Sequence, residues 1–178
     1  MTDTKNKTKS KDLRFDKSLL VKAIIQEIQK NLQQLADTEK SIREETTHEE
    51  SKPENEYDTR AIESGYLAKA HSKRLLELNE TLAAIRFLEI KSFTDQDPIA
   101  ASALVKINVA GTPGWYFYLP SGGGLVIDFA GQRIQLITPA SPLGEALQDL
   151  MVGDFAVVEK VSAKGAVSTK EYEILEIQ

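Results

Sequence analysis

Six glutamates, Glu44, Glu45, Glu49, Glu50, Glu54 and Glu56, fall within thirteen residues, relieved only by Lys52 and His48. Carboxylates at this density suit one chemistry above others, the coordination of a hard divalent cation. Mg²⁺ takes one or two carboxylates and completes its shell with water and phosphate. The plainer alternative is a solvated loop whose charge keeps copies of the chain apart, since runs of like charge are usually that. Disulfides, zinc-thiolate sites and thiol nucleophiles are excluded because the chain has no cysteine, and its two histidines, His48 and His71, leave almost nothing for a histidine-rich metal site.

The elements on either side of the acids are helical. From a cap at Asp16, apolar positions recur at Val21, Ile25, Ile28, Leu32, Leu35, Glu39 and Ile42, in alternating steps of four and three. That is the heptad spacing of a coiled coil. Periodicity stops over Thr46 to Asn55, which includes Pro53, and resumes in a second helix from about Asn55 to Leu88. Its seam is Ala61, Ser64, Ala68, His71, Leu75, Leu78, Leu82 and Ile85. Folding back at Glu50 and Ser51 pairs the helices antiparallel, sets Ile25 by Leu78, Ile28 by Leu75, Leu32 by His71 and Leu35 by Ala68, and leaves the acids at the far end. The base is rich in leucine and isoleucine and the distal half is small and polar, which predicts a firm base and a softer tip. A helix of about 30 residues reaches roughly 45 Å.

Composition changes at a linker over 91–101, and the remainder reads as strands. Ala103–Val109, Trp115–Leu119, Leu125–Phe129, Gln132–Ile137, Asp154–Val161 and Lys170–Ile177 carry the β signal. Turns are expected at Gly111-Thr112-Pro113-Gly114 and Ser121-Gly122-Gly123-Gly124. Ser141 can cap a short helix with Pro142 in its first position, running to about Asp149. The organisation is thus a polar, disordered tail over 1–15, a hairpin over 16–90, the linker, and a mostly antiparallel β domain over 102–178.

At 178 residues with a net charge of −5, the chain has room for two small domains and lacks the basic balance of an autonomous nucleic-acid binder. Its apolar runs fall short of the roughly 20 residues that span a bilayer, so no membrane is expected as a partner. No apolar stretch follows the N-terminal lysines as in a secretory signal, and a cytoplasmic location is expected.

Three motifs together resemble the Gre family of bacterial transcript-cleavage factors. Ile137-Thr138-Pro139-Ala140-Ser141-Pro142-Leu143-Gly144-Glu145-Ala146-Leu147, then Val152-Gly153-Asp154, then Tyr172-Glu173-Ile174-Leu175-Glu176-Ile177 is similar to the family's closing segment. Glu54-Asn55-Glu56-Tyr57 is similar to its tip motif, Glu-Asn-x-Glu-Tyr. The resemblance implies an α+β protein with an N-terminal antiparallel coiled-coil hairpin and a C-terminal FKBP-like antiparallel β domain with one short helix. It also implies a mode of action. The hairpin enters the secondary channel of RNA polymerase, the β domain docks at the rim, and tip acids help hold Mg²⁺ shared with the polymerase active site. Backtracked RNA is then hydrolysed at the polymerase's own metal centre, so the factor is not itself an enzyme.

On this reading Glu50 and Glu54 are the catalytic and metal-holding acids, with Glu49 as substitute. Tyr57, Arg60, Lys69, Lys73, Arg74, Ser141, Pro142 and Leu143 contact polymerase or the nascent RNA 3′ end. The tip departs from the family's Asp-Leu-Lys-Glu-Asn-Ala-Glu-Tyr. It reads Glu50-Ser51-Lys52-Pro53-Glu54-Asn55-Glu56-Tyr57, with Pro53 in the place of the second acid when counted back from Tyr57. Aligning on Glu54-Asn55 restores that acid at the cost of one inserted residue and one lost.

Each assignment has a structural alternative. Tyr57 packs the hairpin end or stacks on a base, His71 is a seam histidine or a ligand, and Lys69, Lys73 and Arg74 are a basic patch or ordinary surface. The run Trp115-Tyr116-Phe117-Tyr118 is read as core and cross-strand pairs. Gly122-Gly123-Gly124 is read as a flexible turn, since no Gly-Lys-Ser/Thr follows it. The competing functions are a channel-binding regulator that does not promote cleavage and, from another class, a peptide-binding or chaperone-like module. A monomer is expected, because the coiled coil closes on itself.

Overall fold

The computed structural model describes residues 14–47, 59–161 and 167–178. Two long helices, α1 (Lys17–Thr47) and α2 (Thr59–Arg86), precede β1 (Leu104–Val109), β2 (Thr112–Tyr118), β3 (Val126–Phe129) and β4 (Gln132–Ile137). A short helix α3 (Pro142–Leu147) then leads to β5 (Phe155–Val161) and β6 (Val167–Ile177). The chain is therefore α+β, with six strands in one sheet ordered β3-β4-β2-β1-β6-β5. The sheet is mixed and not antiparallel throughout: β2 and β4 run parallel, Trp115 beside Ile134 and Phe117 beside Leu136. The hairpin β3–β4 inserts its second strand against β2, which forces that one parallel pairing.

Helix α1 starts where the sequence places its cap, the Asp16 carboxylate accepting from Ser18 N (2.9 Å) and Leu19 N (3.1 Å). The seam of α2 is also as the heptads indicate: Leu78, Leu82 and Ile85 are buried, and His71 and Leu75 half-buried. On α1 the buried stripe is wider than expected. Leu20 and Ile24 are fully buried alongside Val21 and Ile28, while Ile25 is half-buried. The reason is a second partner. The base of α1 packs on α2 and on the sheet at once, so Leu20, Val21, Ile24, Ile28, Leu78, Leu82 and Ile85 share one core with Leu104, Trp115, Phe117, Leu119, Ile127, Ile134 and Leu136. Burying each such aliphatic side chain contributes about 1.5–3 kcal/mol.

That shared cluster shows the helices antiparallel, the start of α1 meeting the end of α2. Their register is later than expected. A shallow groove between them brings Leu35 together with Arg74 and Leu78, whereas the expected partner Ala68 has its side chain outside the described residues. The expected fold-back at Glu50 and Ser51 lies outside the described residues.

The second core lies on the other face of the sheet. Val105, Ile107, Tyr118, Ile137, Ala156, Val158, Tyr172, Ile174 and Ile177 pack there with Ile99 and Leu147, and Leu143, Ala146 and Leu150 close over them. Strand alternation sends Trp115 and Phe117 under the hairpin and Tyr116 and Tyr118 to the α3 side. Both faces of this aromatic strand are thus core.

One turn assignment changes. Thr112, Pro113 and Gly114 belong to β2, and the turn is Ala110-Gly111, both at positive φ (50° and 85°). Proline is tolerated because β4 pairs with β2 only from Trp115 onward, so Pro113 lacks a partner on that side. Ala130-Gly131 repeats the geometry between β3 and β4 (φ 50° and 74°). Paired positive φ is the mark of a type I′ turn.

Candidate functional site

The acids singled out by the sequence, Glu49, Glu50 and Glu54, and also Tyr57, lie outside the described residues. The described residues show where the helices on either side of them end. Both helix ends that flank residues 48–58, at Thr47 and Thr59, stand at the end of the hairpin opposite the sheet. Among the described side chains Ile28 is the last fully buried one of α1, and about 19 residues of helix, near 28 Å, run on beyond it. Over that stretch of α1 up to Ser41, side chains are at most half-buried.

The predicted basic residues do not form one patch. Lys69 and Lys73 are exposed on the side of α2 opposite its seam. Arg74 flanks the seam and lines the interhelical groove with Asn31, Gln34, Leu35 and Thr38. It also pairs with Glu77 at 3.2 Å, while Lys73 stands 3.9 Å from the same carboxylate. Arg60 falls in the first turn of α2. The half-buried His71 has its Nδ1 sealed from solvent without a hydrogen-bond partner, as a seam residue would.

Ser141, Pro142 and Leu143 form the start of α3, on the opposite face of the sheet from the hairpin. The Ser141 Oγ accepts from Gly144 N at 3.1 Å and donates to Thr138 O at 2.9 Å, and Pro142 occupies the first helical turn, where its missing N–H costs nothing. Gly144 is required sterically: a Cβ there would overlap Thr138 O and stand 2.9 Å from Ser141 Oγ. Pro142 is exposed and Leu143 half-buried, at the edge of a groove floored by Tyr116, Val158 and Tyr172 with Lys170 at its rim. Burial, and then the neighbouring Tyr172, push the Tyr116 phenol above its usual range.

The sequence reading missed the device that holds hairpin to sheet. Lys17 Nζ donates to the carbonyls of Lys91, Ser102 (3.1 Å) and Gln178 (2.9 Å) and sits 4.6 Å from the centre of the Phe93 ring. Burial lowers its pKa from 10.5 to about 8. Ser102 takes a positive φ of 73° there, and its hydroxyl accepts from Lys91 N at 2.9 Å. Phe15, which the sequence leaves with the tail, packs edge-on against Trp115 with ring centres 4.9 Å apart. A lysine in a helix first turn gives no sign in sequence of such long-range acceptors.

Among the described residues no three carboxylate or imidazole groups converge as a metal site, and no helix is long and apolar enough to cross a membrane.

The architecture defined by these features is a two-helix arm seated on one face of a mixed sheet whose other face carries a short capped helix. No protein-family model matches the chain, and no curated protein matches it by sequence. Among solved structures it is similar to Gfh1 of Thermus aquaticus, at 19% identity over 88% of this chain and 95% of that one, with a TM-score of 0.35. It is similar to the GreA factor homolog Gfh1 of Thermus thermophilus at 13% identity, over 86% of this chain and 94% of that one, TM-score 0.32. The GreA/GreB elongation factor of Nitrosomonas europaea matches at 19% identity over 57% of this chain and 78% of that one, TM-score 0.32.

Proposed function

We propose that this chain is a transcription elongation factor of the Gre kind, an accessory that reaches into RNA polymerase and not an enzyme in its own right. In this reading the hairpin enters the secondary channel and carries Glu50 and Glu54, with Glu49 beside them, toward the polymerase active site. Arg60, Lys69, Lys73, Arg74 and Tyr57 line the arm toward the RNA 3′ end. The C-terminal unit, read as FKBP-like, docks at the channel rim through Ser141, Pro142 and Leu143. The factor works as a cytoplasmic monomer, and residues 16–90 and 102–178 are its two domains.

One observation carries the reading. Beyond Ile28, as far as Ser41, α1 keeps only half-buried seam positions such as Leu32 and Leu35, and extended helices with half-exposed seams serve reach more than packing. The only dense group of hard-oxygen ligands in the sequence lies between their distal ends. Carboxylates of that kind suit Mg²⁺. The shared Mg²⁺, when held, supplies activation of water and stabilisation of the leaving oxygen. Glu50 and Glu54 contribute negative charge and orientation, while polymerase contributes the remaining ligands and the RNA.

The test is transcript cleavage in backtracked elongation complexes. Wild-type protein accelerates cleavage, and Glu50→Ala or Glu54→Ala removes the acceleration while leaving polymerase binding intact. Absence of polymerase binding by the wild-type protein overturns the reading.

A second reading is favoured by Pro53 and Ser51, which stand where the family pattern carries an acid and a leucine. A tip with altered ligand geometry occupies the channel and regulates polymerase without promoting cleavage. Binding with no cleavage at any Mg²⁺ concentration selects it.

A further inference from the structure

Strand β5 ends the sheet, and its outer edge is open. Ile174 N donates to Asp154 O, which fixes the residues of β5 that face β6. Alternation along an antiparallel pair then turns the N–H and C=O of Phe155, Val157 and Glu159 outward. Among the described residues these groups have no backbone partner. Their side chains lie on the hairpin side of the sheet, since Ala156 and Val158 belong to the core on the other side. The hairpin leaves them uncovered: Phe155 and Val157 keep 57% and 49% of their surface exposed. Glu173 and Glu171 stand opposite this pair on β6, so Glu159, Glu171 and Glu173 border it. Glu159 and Glu171 make no ion pair among the described residues, and Glu173 accepts from Asn108 Nδ2 at 2.9 Å. Lys106 shares this face but lies over the Trp115 ring at 5.4 Å, on the side away from β5.

The sequence ahead of Arg14 carries the matching pattern. Lys5, Lys7, Lys9 and Lys11 alternate without a break, the spacing that puts every lysine on one face of an extended chain. Arg14 stands beside Glu176, Ile177 and Gln178 at the end of β6, and Phe15 packs on Trp115 on the hairpin side. From there to the free side of β5 is two strand spacings, about 10 Å, and residues 10–13 can span about 13 Å. We propose that Lys5 to Lys9 add to β5 as an antiparallel seventh strand, setting Lys5, Lys7 and Lys9 against Glu159, Glu171 and Glu173. The lysine stems cover Phe155 and Val157 while their ammonium groups reach the acids. The direction follows from the exit point, because Phe155 is the end of β5 nearest the close of β6. A lysine-bearing strand at the rim also closes an apolar edge that otherwise invites pairing with a second copy. The inference stands apart from polymerase binding.

The chain lacks cysteine, so Thr4→Cys carries a single nitroxide label just ahead of the proposed strand. In the full chain at low salt the label broadens the amide signals of Phe155 to Glu159. Mixing labelled chain with unlabelled, isotope-enriched chain leaves the signals of the latter sharp. Broadening disappears at about 1 M salt, where charges are screened beyond about 3 Å, and in Lys5→Glu/Lys7→Glu/Lys9→Glu. Adding Glu159→Lys/Glu171→Lys to that triple variant restores it. Amide exchange at Phe155, Val157 and Glu159 is about tenfold slower in wild type than in the triple variant, whose substitutions touch neither core. Three results overturn the proposal: no β5 amide is broadened, broadening survives both salt and charge reversal, or it passes between chains, which makes the occupant a second copy.

Discussion

Gly122 fits against Thr81 so closely that no side chain can stand between them. A Cβ on Gly122 would overlap Thr81 Cγ2 and lie 2.6 Å from its Oγ1 and 2.8 Å from its Cβ. Thr81 is itself buried near the end of α2, its hydroxyl donating to Glu77 O at 2.7 Å. The loop after β2 is therefore a seat for the helical arm. Gly122 also takes φ +84°, so substitution meets two penalties. Gly122→Ala is expected to destabilise by about 2–4 kcal/mol, read as a lower denaturation midpoint. Thr81→Ala in the same chain removes the Cγ2 and Oγ1 overlaps and recovers most of the steric part, leaving the tight Cβ contact and the roughly 1–2 kcal/mol cost of the left-handed backbone. Strict additivity of the two changes would refute the contact.

Lys17 gives stability a pH dependence with a definite sign. Its folded pKa of about 8 lies below the ordinary 10.5. Between those values the unfolded chain holds a proton that the folded chain has released, so this residue makes stability rise with pH. Below pH 8 both states are protonated and its slope vanishes. Burial raises the phenols of Tyr116 and Tyr118 from 10.0, which acts in the opposite direction above that pH. In the window from pH 8 to 10, Lys17→Met is expected to flatten the rise seen in wild type by chemical denaturation. An unchanged slope would show that the lysine ionises as freely as in the unfolded chain.

The type I′ turns are places where the chain can be improved. Ala110 and Ala130 hold φ near 50°, a conformation that alanine disfavours and asparagine accepts. Ala110→Asn and Ala130→Asn are each expected to stabilise by about 0.5–1 kcal/mol. Thermal midpoints of the single and double variants provide the check, and the two gains should add because the turns belong to different hairpins.

Along the arm, stability should fall from base to tip. Ile24 and Leu82 are buried in the core shared with the sheet, whereas Leu35 is half-buried between the helices. Ile24→Ala and Leu82→Ala are expected to cost about 2–5 kcal/mol, and Leu35→Ala less than either. Amide hydrogen exchange should follow the same gradient, with protection highest near Leu20 to Ile28 and Leu78 to Ile85. Uniform protection along both helices would contradict it.

Local signals in the sequence were enough for the helices, all six strand positions apart from the start of β2, and the Ser141-Pro142 cap, because each depends on neighbours within a turn or a strand. The heptad steps name the seam of α2 correctly from His71 to Ile85, apart from the buried Thr81, while Ala61, Ser64 and Ala68 have side chains outside the described residues. They understate the base of α1, where Leu20 and Ile24 are buried by a sheet encoded some 80 to 110 residues later. Pro113 and Gly114 signalled a turn, yet a strand forms because β4 leaves that side of β2 unpaired. The candidate site divides in the same way. The arm was readable from periodicity, while the acids lie outside the described residues, and the separation of Arg74 from Lys69 and Lys73 depends on helical phase relative to a partner. The roles of Gly122 as a seat and Lys17 as an anchor were settled only by tertiary packing, since overlap with Thr81 and capture by three distant carbonyls are relations between segments that local preference cannot encode.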